Sequence, residues 1–160
     1  MKNDVFDDMM DQWSEERPEL DTSSLGVVIR IMSLNRAFQR QATEALEPLG
    51  LELFEYDVLS ALRRQGPPFA LPATGLAAET DLSTGAMTNR INKLEARGLV
   101  IRRDDENDRR AVIVSLTPAG KRAIDDAIHT RLGAADRSLA GIGSEERDSL
   151  ARLLRQINQE

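Results

Sequence analysis

Apolar and polar positions recur with a helical period over most of the chain. In Asp4–Glu15 the apolar members of a short helix are Val5, Phe6, Met9, Met10 and Trp13, and Pro18 ends it. A long helix is expected from Ser23 to about Leu49, with Leu25, Val28, Met32, Ala37, Phe38, Ala42, Ala45 and Leu46 on one face and Pro48 and Gly50 closing it. Leu53–Arg64 repeats the pattern with Phe54, Val58, Leu59 and Leu62 inward, until Gln65-Gly66-Pro67-Pro68 breaks it.

The middle of the chain is denser in signals. Pro72 is expected at the first position of a short helix, where a missing N–H costs nothing. After a polar turn at Thr80-Asp81, Ser83 or Thr84 caps a second helix that runs to about Arg97, and Gly98 lies just past its end. Met87, Ile91 and Leu94 face inward there, leaving Thr84, Thr88, Asn89, Asn92 and Lys93 on the outer face. Two β-branched runs, Leu99–Ile101 and Ala111–Val114, flank a polar stretch from Arg102 to Arg110 and read as a hairpin, with Phe69-Ala70-Leu71 as a short third strand. Thr117-Pro118 caps a helix through about Leu139 with Ile124, Ile128, Leu132 and Ala135 in register. Gly141-Ile142-Gly143 is a turn and not a phosphate loop, because no strand precedes it. Ser144 caps a last helix striped by Leu150, Leu153, Leu154 and Ile157.

Helix, turn, helix and a hairpin with a charged tip outline a winged helix-turn-helix. The fold class is therefore mainly α with a small β-wing, a single domain over residues 1–160. Residues 50–117 form the head. The helices of 1–48 and 118–160 carry more apolar stripe than a small head requires, so they are expected to pair with a second copy. A homodimer reads a palindromic operator with half-sites about 10 base pairs apart.

In that head, Ser83, Thr84, Thr88, Asn89, Asn92 and Lys93 suit phosphate oxygens and base edges in a major groove of double-stranded DNA. At the hairpin tip Arg109 and Arg110, beside Asp108, suit a narrow, electronegative minor groove. The competing reading is a merely solvated helix face and an ordinary hairpin. The two elements in series favour DNA.

A formal net charge of −6 looks wrong for a polyanion partner, but it is unevenly spread. Residues 1–24 hold two basic and eight acidic side chains, whereas residues 83–122 hold nine basic and five acidic. Positive charge collects on the proposed reading element, and local sign steers docking. No apolar run approaches the roughly 18 residues of a membrane span, and the start of the chain is acidic, so a cytoplasmic protein is expected. Cysteine is absent and His129 is the single histidine, which makes thiol chemistry and soft-metal sites poor expectations, and no cofactor is called for.

The run LSTGAMTNRINKLEARGLVIRRDDENDRRAVIVSLTPAG, Leu82 to Gly120, resembles the MarR family of transcriptional regulators, and the order of elements matches that family over essentially the whole chain. The resemblance implies an obligate dimer that represses transcription, often of a divergently transcribed neighbour, and leaves DNA on binding a small anionic or phenolic ligand. A narrower resemblance is to the urate-responsive branch, which has an extra N-terminal helix bearing tryptophan. The matching features here are Trp13, the run Tyr56–Arg64 (YDVLSALRR), Arg90, Arg102 and the segment RPELDTS from Arg17 to Ser23. That branch implies Trp13, Asp57, Arg90 and Arg102 as ligand residues. A planar purine anion wants a stacking face, a guanidinium fork and an acceptor for its N–H groups, and this quartet offers all three. The effector expected is urate or another aromatic anion. Two alternatives stay open: Asp57 forms a structural salt bridge with Arg90 or Arg102, and Trp13 pins the acidic arm to the body.

Rival classes remain. A metabolic enzyme needs a nucleophile, base or metal set, and none is visible. A winged-helix protein–protein adaptor has no use for a basic wing tip. A constitutive architectural DNA binder, without an effector, is compatible with the sequence.

Overall fold

A computed structural model describes residues 3–105 and 111–157. The chain divides into two compact units, residues 1–41 and residues 42–160.

The first unit holds helix α1, Val5–Glu16, and most of helix α2, Ser23–Leu46. Asp4 caps α1 by accepting from the backbone N–H groups of Phe6 and Asp7, and the Asp7 carboxylate returns a bond to the Asp4 N–H. Arg30 of α2 donates to Asp4 at 2.8 Å and Asp7 at 2.7 Å, and lies 5.6 Å from the centre of the Phe6 ring. These ion pairs join α1 to α2. The Trp13 ring, read from the sequence as a pin for this arm, is 44% exposed. Arg30 carries no signal in the sequence because its partners lie over twenty residues away.

In the second unit α2 ends at Leu46 and the next three residues, Glu47–Leu49, form a 3₁₀ turn, so the long helix stops short of Leu49. Helix α3 is Leu53–Arg64, followed by strand β1, Ala70–Pro72, and helix α4, Ala73–Glu79. Pro72 precedes α4 as its cap instead of opening it, because its extended backbone still pairs with Ile113 in the sheet. Helix α5 spans Thr84–Ala96 with Ser83 as its cap, and Gly98 takes the left-handed conformation (φ 68°) that turns the chain into strand β2. Strands β2, Val100–Asp104, and β3, Val112–Leu116, pair antiparallel, and β1 pairs with the far side of β3, giving the order β1-β3-β2. Both strands differ from the apolar runs read in the sequence. Ladder bonds are made by backbone and do not need apolar side chains, so Arg102, Arg103 and Asp104 are strand residues and not part of the tip.

Helix α6, Pro118–Ser138, is capped by Thr117, and helix α7 is Ser144–Ile157. Ser144 is the first helical residue of α7 instead of its cap. The Glu146 carboxylate accepts from the Gly143 N–H at 2.6 Å, supplying the capping bond one residue earlier.

One core fills this unit: Leu46, Val58, Leu59, Leu62, Leu76, Met87, Ile91, Leu94, Val100, Val114 and Ile124 are buried. Phe54 is only half-buried, since charged side chains of α5 cover its ring. Along α6 the buried positions are Gly120, Ile124, Ala127 and Ala134, while Leu132 is 57% exposed. Exposed apolar residues gather on α2 (Leu25, Val28, Met32) and on α7 (Leu150, Leu153, Leu154, Ile157). Among the described residues no helix is long and apolar enough to cross a membrane.

Candidate nucleic-acid interface

Helix α5 separates its faces as its sequence dictates. Met87, Ile91 and Leu94 are buried, and Thr84, Thr88, Asn89, Asn92 and Lys93 are exposed. Ser83 Oγ accepts from the Ala86 N–H at 3.3 Å, and Thr88 Oγ1 donates to the Thr84 carbonyl at 2.9 Å. The N-terminal half of α5 thus presents short donor–acceptor side chains at a helix N-terminus, the chemistry that phosphate oxygens and base edges require.

A second side of α5 is cationic and turned towards α3. The Arg90 guanidinium and the Lys93 ammonium each lie 5.2 Å from the centre of the Phe54 ring, and Arg97 pairs with the Glu55 carboxylate. Positions 90, 93 and 97 are spaced as one helical stripe. Lys93, grouped with the outer face in the sequence, therefore sits at the edge between the two sides.

The wing is tied to the same helix. The Arg102 guanidinium donates to Asn92 Oδ1 and lies 3.7 Å from the Glu95 carboxylate, and the Arg102 backbone N–H donates to Glu95 Oε1 at 3.2 Å. Asp108, Arg109 and Arg110 lie outside the described residues. At the root of the wing, Thr117 Oγ1 donates to the Gly98 carbonyl at 2.7 Å and accepts from the Gly120 N–H at 3.0 Å. Gly120 packs so closely that a Cβ there would lie 1.9 Å from the Leu99 carbonyl oxygen. This seat for α6 is what the LTPAG run encodes.

A cavity of about 610 Å³ opens between α3, the end of α4 and α6. Tyr56, Asp57, Ser60 and Arg64 of α3 line it, with Arg131 of α6 opposite and Thr80-Asp81 at its rim. Desolvation pushes the Asp57 carboxyl above its ordinary value, although Arg131, Arg90 and Arg64 pull the other way. Desolvation likewise raises the Tyr56 phenol. Arg64 is held by Ser60 Oγ at 3.1 Å and by Glu79 at 2.9 Å.

Of the quartet read from the sequence, Asp57 lines this cavity, while Arg90 stacks on Phe54 and Arg102 is held by Asn92. Trp13 belongs to the other unit. The alternative salt bridge of Asp57 with Arg90 or Arg102 is not formed: among the described residues no ion pair within 4.0 Å includes Asp57. Tyr56, Arg64 and Arg131 also line this cavity, where sequence reasoning did not place them. Ser60 and Arg64 at i,i+4 were a usable signal. Arg131, some seventy residues away on another helix, gave none. Among the described residues no group of three or more His, Asp or Glu side chains is arranged to hold a metal ion.

A profile described as the MarR family matches residues 49–111. The chain is 27% identical to the HTH-type transcriptional regulator PecS of Dickeya dadantii over 152 residues, 95% of this chain and 92% of that one. It is 30% identical to the multiple antibiotic resistance protein MarR of Salmonella typhimurium over 103 residues, 64% of this chain and 69% of that one. Among solved structures, AbsC, a MarR family transcriptional regulator from Streptomyces coelicolor, aligns with a TM-score of 0.81 at 23% identity, covering 88% of this chain and 95% of that one. A MarR variant from E. coli complexed with operator DNA aligns with a TM-score of 0.74 at 22% identity, covering 97% and 99%. At these identities the two structures speak for the fold alone.

Proposed function

The chain belongs to the MarR family of winged-helix transcriptional regulators, and from that premise we propose that it is a cytoplasmic homodimeric repressor released from a palindromic operator by a small aromatic anion such as urate. Its place among regulators, and not any missing group, is why it is not an enzyme.

The observation that carries the reading is the outward face of α5, clamped through Asn92 to the first wing strand. In this account Ser83, Thr84, Thr88, Asn89 and Asn92 meet the major groove, Lys93 approaches the phosphates from the edge of that face, and Arg109 and Arg110 reach the flanking minor groove. The exposed stripes of α2 and α7 pair with the same stripes of a second copy, giving two heads on successive turns of a duplex.

For the effector, the cavity beside α3 is lined by three carboxylates, Asp57, Glu79 and Asp81, and two guanidiniums, Arg131 and Arg64, the latter paired with Glu79. Arg90 flanks this region through its field on Asp57. Trp13 and Arg102 belong to the proposed set through resemblance alone. An anion drawn to these arginines shifts α3, and α3 seats α5, so occupancy and DNA binding are coupled. Such couplings are typically about 1–3 kcal/mol and reciprocal.

Footprinting of the chain on the intergenic region beside its own gene, with and without urate, tests this. A protected palindrome that is lost as urate is added is the expected result. Protection indifferent to urate and to other aromatic anions would favour a constitutive architectural binder, and no protection at all would favour an adaptor.

A further inference from the structure

We propose that Glu55 is the positioning residue that fixes the angle of the reading helix α5, and through it operator specificity as distinct from general affinity for DNA. The proposal rests on the DNA-binding reading above.

Glu55 is 1% exposed, in the first turn of α3. Its Oε2 accepts from the Glu52 N–H at 3.0 Å and from Arg97 Nη1, while Arg97 Nη2 reaches on to the Gly50 carbonyl at 2.9 Å. Arg97 is the capping residue at the C-terminus of α5. The end of the reading helix is thereby bolted to the corner between the 3₁₀ turn and α3. Phe54, one residue before Glu55, supports Arg90 and Lys93 on the preceding turns. Those two contacts, on a half-exposed ring, tolerate sliding. The Arg97 guanidinium is charged and forked between the Glu55 carboxylate and the Gly50 carbonyl, so it resists a rotation that the ring contacts permit.

Stability is an incomplete reason for such a pair: as the third residue of α3 Glu55 closes a capping box with the Glu52 N–H, which accounts for a carboxylate here but not for its second partner, Arg97. Geometry is a better one. The 13 residues of α5 span about 20 Å, so a pivot of about 10° at its C-terminus moves the N-terminal end by about 3 Å. Base-edge hydrogen bonds at that end do not survive such a shift, whereas phosphate contacts from long basic side chains do. Arg97, though basic and on the reading helix, is occupied with Glu55 and is not counted among the phosphate contacts.

The test uses the intact dimer and a duplex that the wild-type chain enriches from a random pool, against a scrambled duplex of the same length and composition. Glu55→Gln keeps the volume and one acceptor but removes the charge. We expect the ratio of enriched to scrambled affinity to fall about tenfold or more, with scrambled-duplex affinity and salt slope unchanged. Arg97→Gln should lower the ratio by a similar factor, and the double variant by no more than either alone. If Glu55→Gln fails to fold, Arg97→Lys, which keeps the charge but loses the fork, should still lower the ratio. A ratio that stays at the wild-type value, or a proportional loss on both duplexes, overturns the assignment while leaving DNA binding intact. A wild-type chain that enriches no sequence overturns both.

Discussion

Arg102 on the first wing strand donates to the side-chain oxygen of Asn92 on α5, and its backbone N–H is bonded to Glu95 three residues further along the same helix. Wing and reading helix are thus one piece at this point, and the separation of the two DNA-facing elements is set by a side chain that need not touch DNA.

Arg102→Ala is expected to lower operator affinity about fivefold with no effector present, the equivalent of about 1 kcal/mol for an exposed charge-assisted bond. Fluorescence anisotropy with a labelled operator measures it. Unchanged affinity together with a lost response to urate would assign Arg102 to the effector instead.

Gly120 and Gly85 should respond to substitution in opposite directions. A Cβ on Gly120 meets the Leu99 carbonyl at 1.9 Å, and backbone cannot step aside as a side chain can. Gly120→Ala is therefore expected to cost about 2 kcal/mol or more and to lower the urea midpoint. At Gly85, in the first turn of α5, a Cβ would have no neighbour within 4 Å, so Gly85→Ala should raise stability by about 0.5 kcal/mol. Urea unfolding followed by circular dichroism reads both.

These cases mark what the chain discloses on inspection. Met87, Ile91 and Leu94 announce α5 because a buried stripe must repeat with the helix, and Thr117, Pro118 and Gly98 announce helix ends because their backbone chemistry permits little else. Strand ends were less legible: Arg102–Asp104 pair through their backbone whatever their side chains. Least legible were long-range partners. Nothing in the neighbourhood of Asp57 foretells Arg131, and Glu55 looks like any surface carboxylate until α5 folds over it. Asp57 itself was legible only through resemblance, and that no ion pair among the described residues includes it was not legible at all.

Asp57 yields a prediction whose sign depends on pH. Desolvation raises its folded-state pKa above the ordinary value of 3.8. Between those two values the folded chain holds a proton that the unfolded chain has released, so stability falls as pH rises through the window and stays reduced above it. Asp57→Asn removes that penalty. The variant should melt higher than wild type at pH 7.5, and the gap should close as pH drops towards 3.8. Melting curves at several pH values check this. A gap that is independent of pH would mean that the substitution acts through packing and not through charge.

The stripe on α7 supports the most demanding prediction. Leu153 and Leu154 are 49% and 42% exposed, with Leu150 and Ile157 beside them, more contiguous apolar surface than a solvated helix gains from keeping. In a two-fold dimer each substitution acts twice. Leu153→Glu removes two leucine contacts, each worth about 2 kcal/mol when fully buried, and brings two carboxylates into the seam. Even the first effect alone, about 4 kcal/mol, weakens the dimer about a thousandfold. Sedimentation velocity at micromolar concentration should then show monomer, and operator affinity should collapse, because a single head reads only one half-site. Val112→Glu is the control: Val112 is also an exposed apolar residue, at 37%, but lies at the wing end of β3 and not on α7, and it should leave the dimer intact. A Leu153→Glu chain that sediments as a dimer would show that α7 does not form the seam.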